Sequence, residues 1–91
     1  MKQQYVIIDT RKSGDVFTDI LSENTERNDA INAFEFAWDC LTPEERRESN
    51  MTLAYIAVEG DRIITSDDEE YQEAINNGWE TYAGYTPIAE H

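Results

Sequence analysis

Ninety-one residues, of which 40% are apolar and ten are aromatic, suffice to close one hydrophobic core over about 60% of the surface the unfolded chain exposes, which argues for a single domain over residues 1–91 and against an acidic disordered tail. Twenty acids against seven bases leave a formal charge of −13, a surface that repels both nucleic acid and anionic lipid headgroups. A single cysteine and a single histidine exclude an internal disulfide and a structural zinc site.

The first element is the β-branched and aromatic run Tyr5–Thr10 (YVIIDT), closed by the polar turn Arg11-Lys12-Ser13-Gly14-Asp15. Val16–Leu21 (VFTDIL) returns as a second strand, with Val16, Thr18 and Ile20 on one face and Phe17, Asp19 and Leu21 on the other. Beyond it, Ala30, Ile31, Phe34, Ala37, Trp38 and Leu41 recur at the spacing of one buried helical face. Thr42-Pro43-Glu44-Glu45 then supplies a threonine N-cap, a proline at the first helical position and a glutamate three residues after the cap, which predicts a short second helix to about Asn50. Met51–Val58 (MTLAYIAV) is a third strand, and the turn Glu59-Gly60-Asp61 leads to a fourth at Arg62–Thr65. A second capping-box pattern, Ser66-Asp67-Asp68-Glu69, predicts a third helix with Tyr71, Ala74, Ile75, Gly78, Trp79 and Tyr82 on its buried stripe. Gly84 and Pro87 would end it in a loose tail. The order ββα(α)ββα predicts an α+β domain: a four-stranded antiparallel sheet with its helices on one face.

The charge is unevenly spread. Residues 1–22 carry three acids and three bases, 23–50 carry eight acids and three bases, and 51–91 carry nine acids and one base. The candidate partner-binding residues follow from this gradient: Asp67, Asp68, Glu69, Glu70, Glu73 and Glu80, with Arg62 the one base nearby, and Tyr85 as an exposed aromatic anchor in the Gly84–Pro87 turn. The helix dipole accounts for acids in the first turn but not for Glu73 or Glu80. Two readings of the charge stand side by side, a solvated face that keeps the chain soluble and a face that meets a basic partner.

Catalytic patterns are sparse. The one histidine is His91, at the last position, and Cys40 lies between the helix-core residues Trp38 and Leu41, where a semi-buried structural thiol is expected. Asp61, Asp67, Asp68 and Glu70 are close in sequence but lack the alternation of a calcium loop. The glycines at 14, 60, 78 and 84 are isolated, so no phosphate-cradling loop is formed. No cofactor or metal is expected, and a binding protein is favoured over an enzyme.

The stretch Tyr5–Arg11, then Gly14–Phe17, then Ala33–Leu41 running into Thr42-Pro43-Glu44-Glu45-Arg46-Arg47 resembles small acidic proteins carried on bacterial mobile elements. In size and charge the chain is similar by type to DNA-mimic inhibitors of host defence, including anti-CRISPR and anti-restriction proteins. The resemblance implies a genomic setting more than an activity; the expectation drawn from the charge is a cytoplasmic, non-enzymatic protein that occludes the basic nucleic-acid groove of a CRISPR effector or restriction enzyme, with carboxylates from the second and third helices standing in for phosphates. It would bind no nucleic acid directly and no membrane. The alternative is a protein–protein interaction module, or a homodimer formed through an open sheet face or an edge strand.

Overall fold

The strand expected at Tyr5–Thr10 extends in both directions, and the computed structural model, which describes residues 1–91, runs β1 from Lys2 to Arg11 and returns through β2, Val16–Ile20. Their antiparallel register pairs Ile8 with Thr18, and Gly14 takes φ 99° in the turn, a left-handed conformation that a residue with a Cβ resists. β3 (Ser49–Glu59) is the spine of the sheet. It lies antiparallel to β1 along its whole length, from Lys2 opposite Val58 to Arg11 opposite Ser49. β4 (Arg62–Ile63) and β5 (Ala89–Glu90) are two short strands on the far side of β3, so the sheet reads β2-β1-β3-β4 with β5 pairing β3 beside β4.

Helix α1 (Arg27–Asp39) buries Ala30 and Phe34 against Ile7, Met51 and Leu53, with Ile31, Ala33, Ala37, Trp38 and Leu41 packed around them. Short helix α2 (Pro43–Glu48) starts on the expected capping box: the Glu45 N–H donates to Thr42 Oγ1 at 3.2 Å, and the Thr42 N–H donates to Glu45 Oε1 at 2.9 Å. Helix α3 (Tyr71–Asn76) places Ala74 against Ala57 and Ile64, with Met1, Tyr71 and Trp79 around it. Because Ala57 and Leu53 share a face of β3, α1 and α3 cover the same side, the arrangement the α+β pattern predicts. The opposite face, with Val6, Ile8, Ala54, Ile56 and Val58, is closed by Tyr82 and Tyr85 rather than by a helix.

Three local expectations need correction. α3 begins at Tyr71, and residues 66–70 form turns, because Asp68 folds back to accept from the Thr65 N–H at 2.7 Å and so caps nothing downstream. Gly78 is not in a helix interior. It takes φ 73° and donates to the Ile75 carbonyl, while the Trp79 N–H reaches the Ala74 carbonyl, both at 3.0 Å. That pair of bonds is a Schellman stop, for which glycine is the preferred residue, and it leaves Trp79 and Tyr82 outside the helix and Ile75 exposed. The tail is not loose either. The Ile88 N–H donates to the Leu53 carbonyl at 2.8 Å and the His91 N–H to the Met51 carbonyl at 2.9 Å, and the His91 ring stacks 4.5 Å from Trp38.

Candidate partner-binding site

β1 holds ten residues, so its ends stand about 30 Å apart at 3.3 Å per residue. The antiparallel partnership of β1 with β3 sorts the charge along that length. One end gathers Lys2, the β3–β4 turn and the α3 segment, and with them Glu23, Glu59, Asp61 and residues 67–73. The other end gathers Arg11, Lys12, Arg46 and Arg47, brought together by the β1–β2 turn and by α2, whose Glu48 carbonyl accepts from the Lys12 N–H at 3.0 Å. The carboxylates of α2, Glu44, Glu45 and Glu48, therefore lie among these bases and offset them, and do not join those of α3.

Within the acidic end, the six carboxylates singled out by sequence divide by what they touch. Asp68 and Glu70 are held by Arg62, at 3.1 Å and 2.6 Å. Asp68 also accepts from Thr65 Oγ1 at 3.2 Å, and its bond from the Thr65 backbone, seconded by that hydroxyl and by Arg62, holds its carboxyl below the usual range. These two shape the loop. Glu80 is half-buried: its Oε1 accepts from the Thr86 N–H at 3.2 Å and its main-chain carbonyl accepts from Ala57. Asp67, Glu69 and Glu73 are exposed and make no salt bridge or side-chain hydrogen bond; with Asp61, also exposed, they are the free charge of this end.

Glu59 adds to the same end by a route that sequence spacing does not show. It binds the terminal ammonium of Met1 at 2.7 Å, and that hydrogen bond lowers its pKa. Glu23 is brought in by its pairing with Lys2.

Tyr85 is not the exposed anchor expected of the Gly84–Pro87 turn. It is half-buried on the Val6, Ile8, Ala54, Ile56 and Val58 cluster, 6.4 Å from Tyr82, and burial raises its phenol pKa against a partly opposing hydrogen bond with Thr52. Cys40, expected to be semi-buried, is exposed at the C-cap of α1, because the end of the helix packs on the core through Ala37, Trp38 and Leu41 and Cys40 lies off that face.

The largest cavity, about 500 Å³, opens between Gln3, Arg27, Tyr55 and the 78–88 segment. A smaller apolar groove of about 170 Å³ lies beside β2, walled by Ile7, Phe17, Ala37, Leu41 and Met51. Asp9 borders it, buried, with one oxygen on Arg11 at 2.8 Å and the other without a protein partner. No three histidine, cysteine or carboxylate groups converge as a metal site, and no helix is long and apolar enough to cross a membrane. Comparison with protein-family models, curated proteins and solved structures finds no significant match.

Proposed function

We propose that this chain is a non-enzymatic binding protein that seats its acidic end in a basic, nucleic-acid-binding groove of another protein, in the manner of DNA-mimic inhibitors of host defence. The observation that carries the reading is the concentration of unpaired carboxylates: Asp61, Asp67, Glu69 and Glu73 stand exposed and without a salt bridge at one end of the sheet, while at the other Arg11, Lys12, Arg46 and Arg47 offset most of the charge of Asp9, Asp15, Glu44, Glu45 and Glu48. Scattered acids would serve solubility equally well; a polarised molecule presents a directed field, which steers encounter with a positively charged groove. Arg62 ties Asp68 to Glu70, so the segment that carries Asp67 and Glu69 is braced between the β3–β4 turn of Asp61 and the α3 helix of Glu73, and these carboxylates lose less freedom on docking.

The test is capture of partners from cells that carry nucleic-acid-targeting defence systems. A nucleic-acid-binding enzyme released by high salt or competing DNA is expected, and the triple variant Asp67→Lys, Glu69→Lys, Glu73→Lys should capture none while keeping its fold. Capture that survives the triple variant, or a partner with no basic groove, refutes the reading.

A further inference from the structure

We propose that the free edge of β2 is an interface between two copies of this chain, joined about a two-fold axis at Thr18. This surface lies along the side of the sheet, and the inference does not depend on the function assigned to the acidic end.

The hydrogen-bond phase of the hairpin identifies the groups that are free. The Leu21 N–H donates to the Tyr5 carbonyl at 2.9 Å and the Arg11 N–H to the Asp15 carbonyl at 2.8 Å. Asp15, Phe17, Asp19 and Leu21 therefore turn their main-chain groups toward β1, and Val16, Thr18 and Ile20 turn theirs outward. Those outward groups form an unpaired antiparallel template. Val16–Ile20 contains no proline, lysine or bulge of the kind that blunts an edge, and Val16 and Phe17 are 48% and 55% exposed.

Side-chain pairing selects one register. An axis at Phe17 would set Asp15 opposite Asp19 of the second copy, and an axis at Asp19 would set the two Asp19 carboxylates face to face; like charges directly opposite are destabilising. The axis at Thr18 avoids both. It pairs Thr18 with its own copy and Val16 with Ile20 in each direction, giving about six main-chain hydrogen bonds. It also extends the apolar face of Val6 and Ile8 across the seam.

Charge points to a second copy as the occupant. Residues 1–22 carry three acids and three bases, the one neutral stretch in a chain of net charge −13, so copies approaching by this hairpin meet the least repulsion. An antiparallel pairing also sets the Arg11 and Lys12 end of each copy beside the acidic end of the other.

Sedimentation equilibrium and concentration-dependent amide exchange test this together. The expected result is a dimer in which the Val16, Thr18 and Ile20 amides gain protection as concentration rises, while those of Phe17 and Asp19, already bonded to β1, do not change. Thr18→Pro should weaken association by about 100-fold without loss of fold, since the N–H it removes points to solvent. Should the proline distort the hairpin, Val16→Lys carries the same test. A monomer at every concentration, a dimer that neither variant weakens, or protection without the alternation overturns the proposal.

Discussion

The two long edges of the sheet are treated in opposite ways. Along β3 the outer edge is closed piece by piece: Ala57 donates to the Glu80 carbonyl at 2.9 Å and accepts from Ile64 at 3.1 Å, Leu53 accepts from Ile88 and Met51 from His91. Residues 62–91 serve largely to cover that edge and the apolar faces beside it. Along β2 nothing covers the edge. An open edge is an aggregation hazard, and this chain closes one edge and leaves the other free with Val16 and Phe17 exposed on it, the edge on which the proposed pairing of two copies would form.

The sharpest way to break this contrast is to place the same residue on both edges. Ala57→Pro removes a donor that is satisfied inside the fold, strands the Glu80 carbonyl and forces a ring into a fully buried position; a loss of about 3 kcal/mol or more is expected from the denaturant midpoint. Thr18→Pro removes an outward donor and should cost less than about 1 kcal/mol in the monomer. Equal losses at the two sites would show that the edges do not differ as described.

Uncovering the closed edge is the next largest perturbation. Removing residues 87–91 takes away the bonds to Leu53 and Met51 and the His91 ring from Trp38. A drop of about 2 kcal/mol by thermal or urea unfolding is expected, together with concentration-dependent association that the full chain does not show at this edge. Unchanged stability would mean that the tail merely rests on β3.

The role of the tail was not legible in the sequence, and the reason is physical. Ile88 to His91 has no alternation of its own, and its pairing is set by a gap in the edge of β3 that exists only once the sheet has formed. Strong local patterns read correctly: the Thr42 box, the Ala30 and Phe34 stripe and the β1–β2 hairpin each depend on neighbours within a few residues. The Ser66 pattern failed because Asp68 had a better partner set in the Thr65 main chain and Arg62, a competition decided by tertiary position. The same holds for the candidate site. Sequence found the acids, but only the pairing of β1 with β3 shows that Glu23 and Glu59 join them and that α2 does not.

Acid titration probes the loop that fixes the acidic end. Thr65 holds the Asp68 carboxyl below its ordinary range, as the Met1 ammonium does Glu59. A carboxylate with a depressed folded pKa contributes stability above its unfolded value near 4 and loses it as pH falls through the depressed one. Urea unfolding between pH 7 and pH 2 should therefore show stability falling below pH 4, and Asp68→Asn should flatten part of that slope. A slope identical in the variant would remove Asp68 from the account.

The smallest expected effect lies at Tyr85, on the face that the tail helps to close. Burial raises its phenol pKa above 10.0, so the folded state keeps the proton after the unfolded chain has lost it. The sign is opposite to that of Asp68: the contribution is complete below the unfolded value and is lost as pH rises through the raised one. Tyr85→Phe keeps the ring on the Val6, Ile8, Ala54, Ile56 and Val58 cluster and gives up only the half-buried hydroxyl. It should cost about 0.5–1.5 kcal/mol at neutral pH and remove part of the decline above pH 10. If Tyr85 were instead the exposed anchor that the Gly84–Pro87 turn suggests, the variant would leave stability and its alkaline slope unchanged and weaken partner capture, so one pair of unfolding curves decides which surface this ring belongs to.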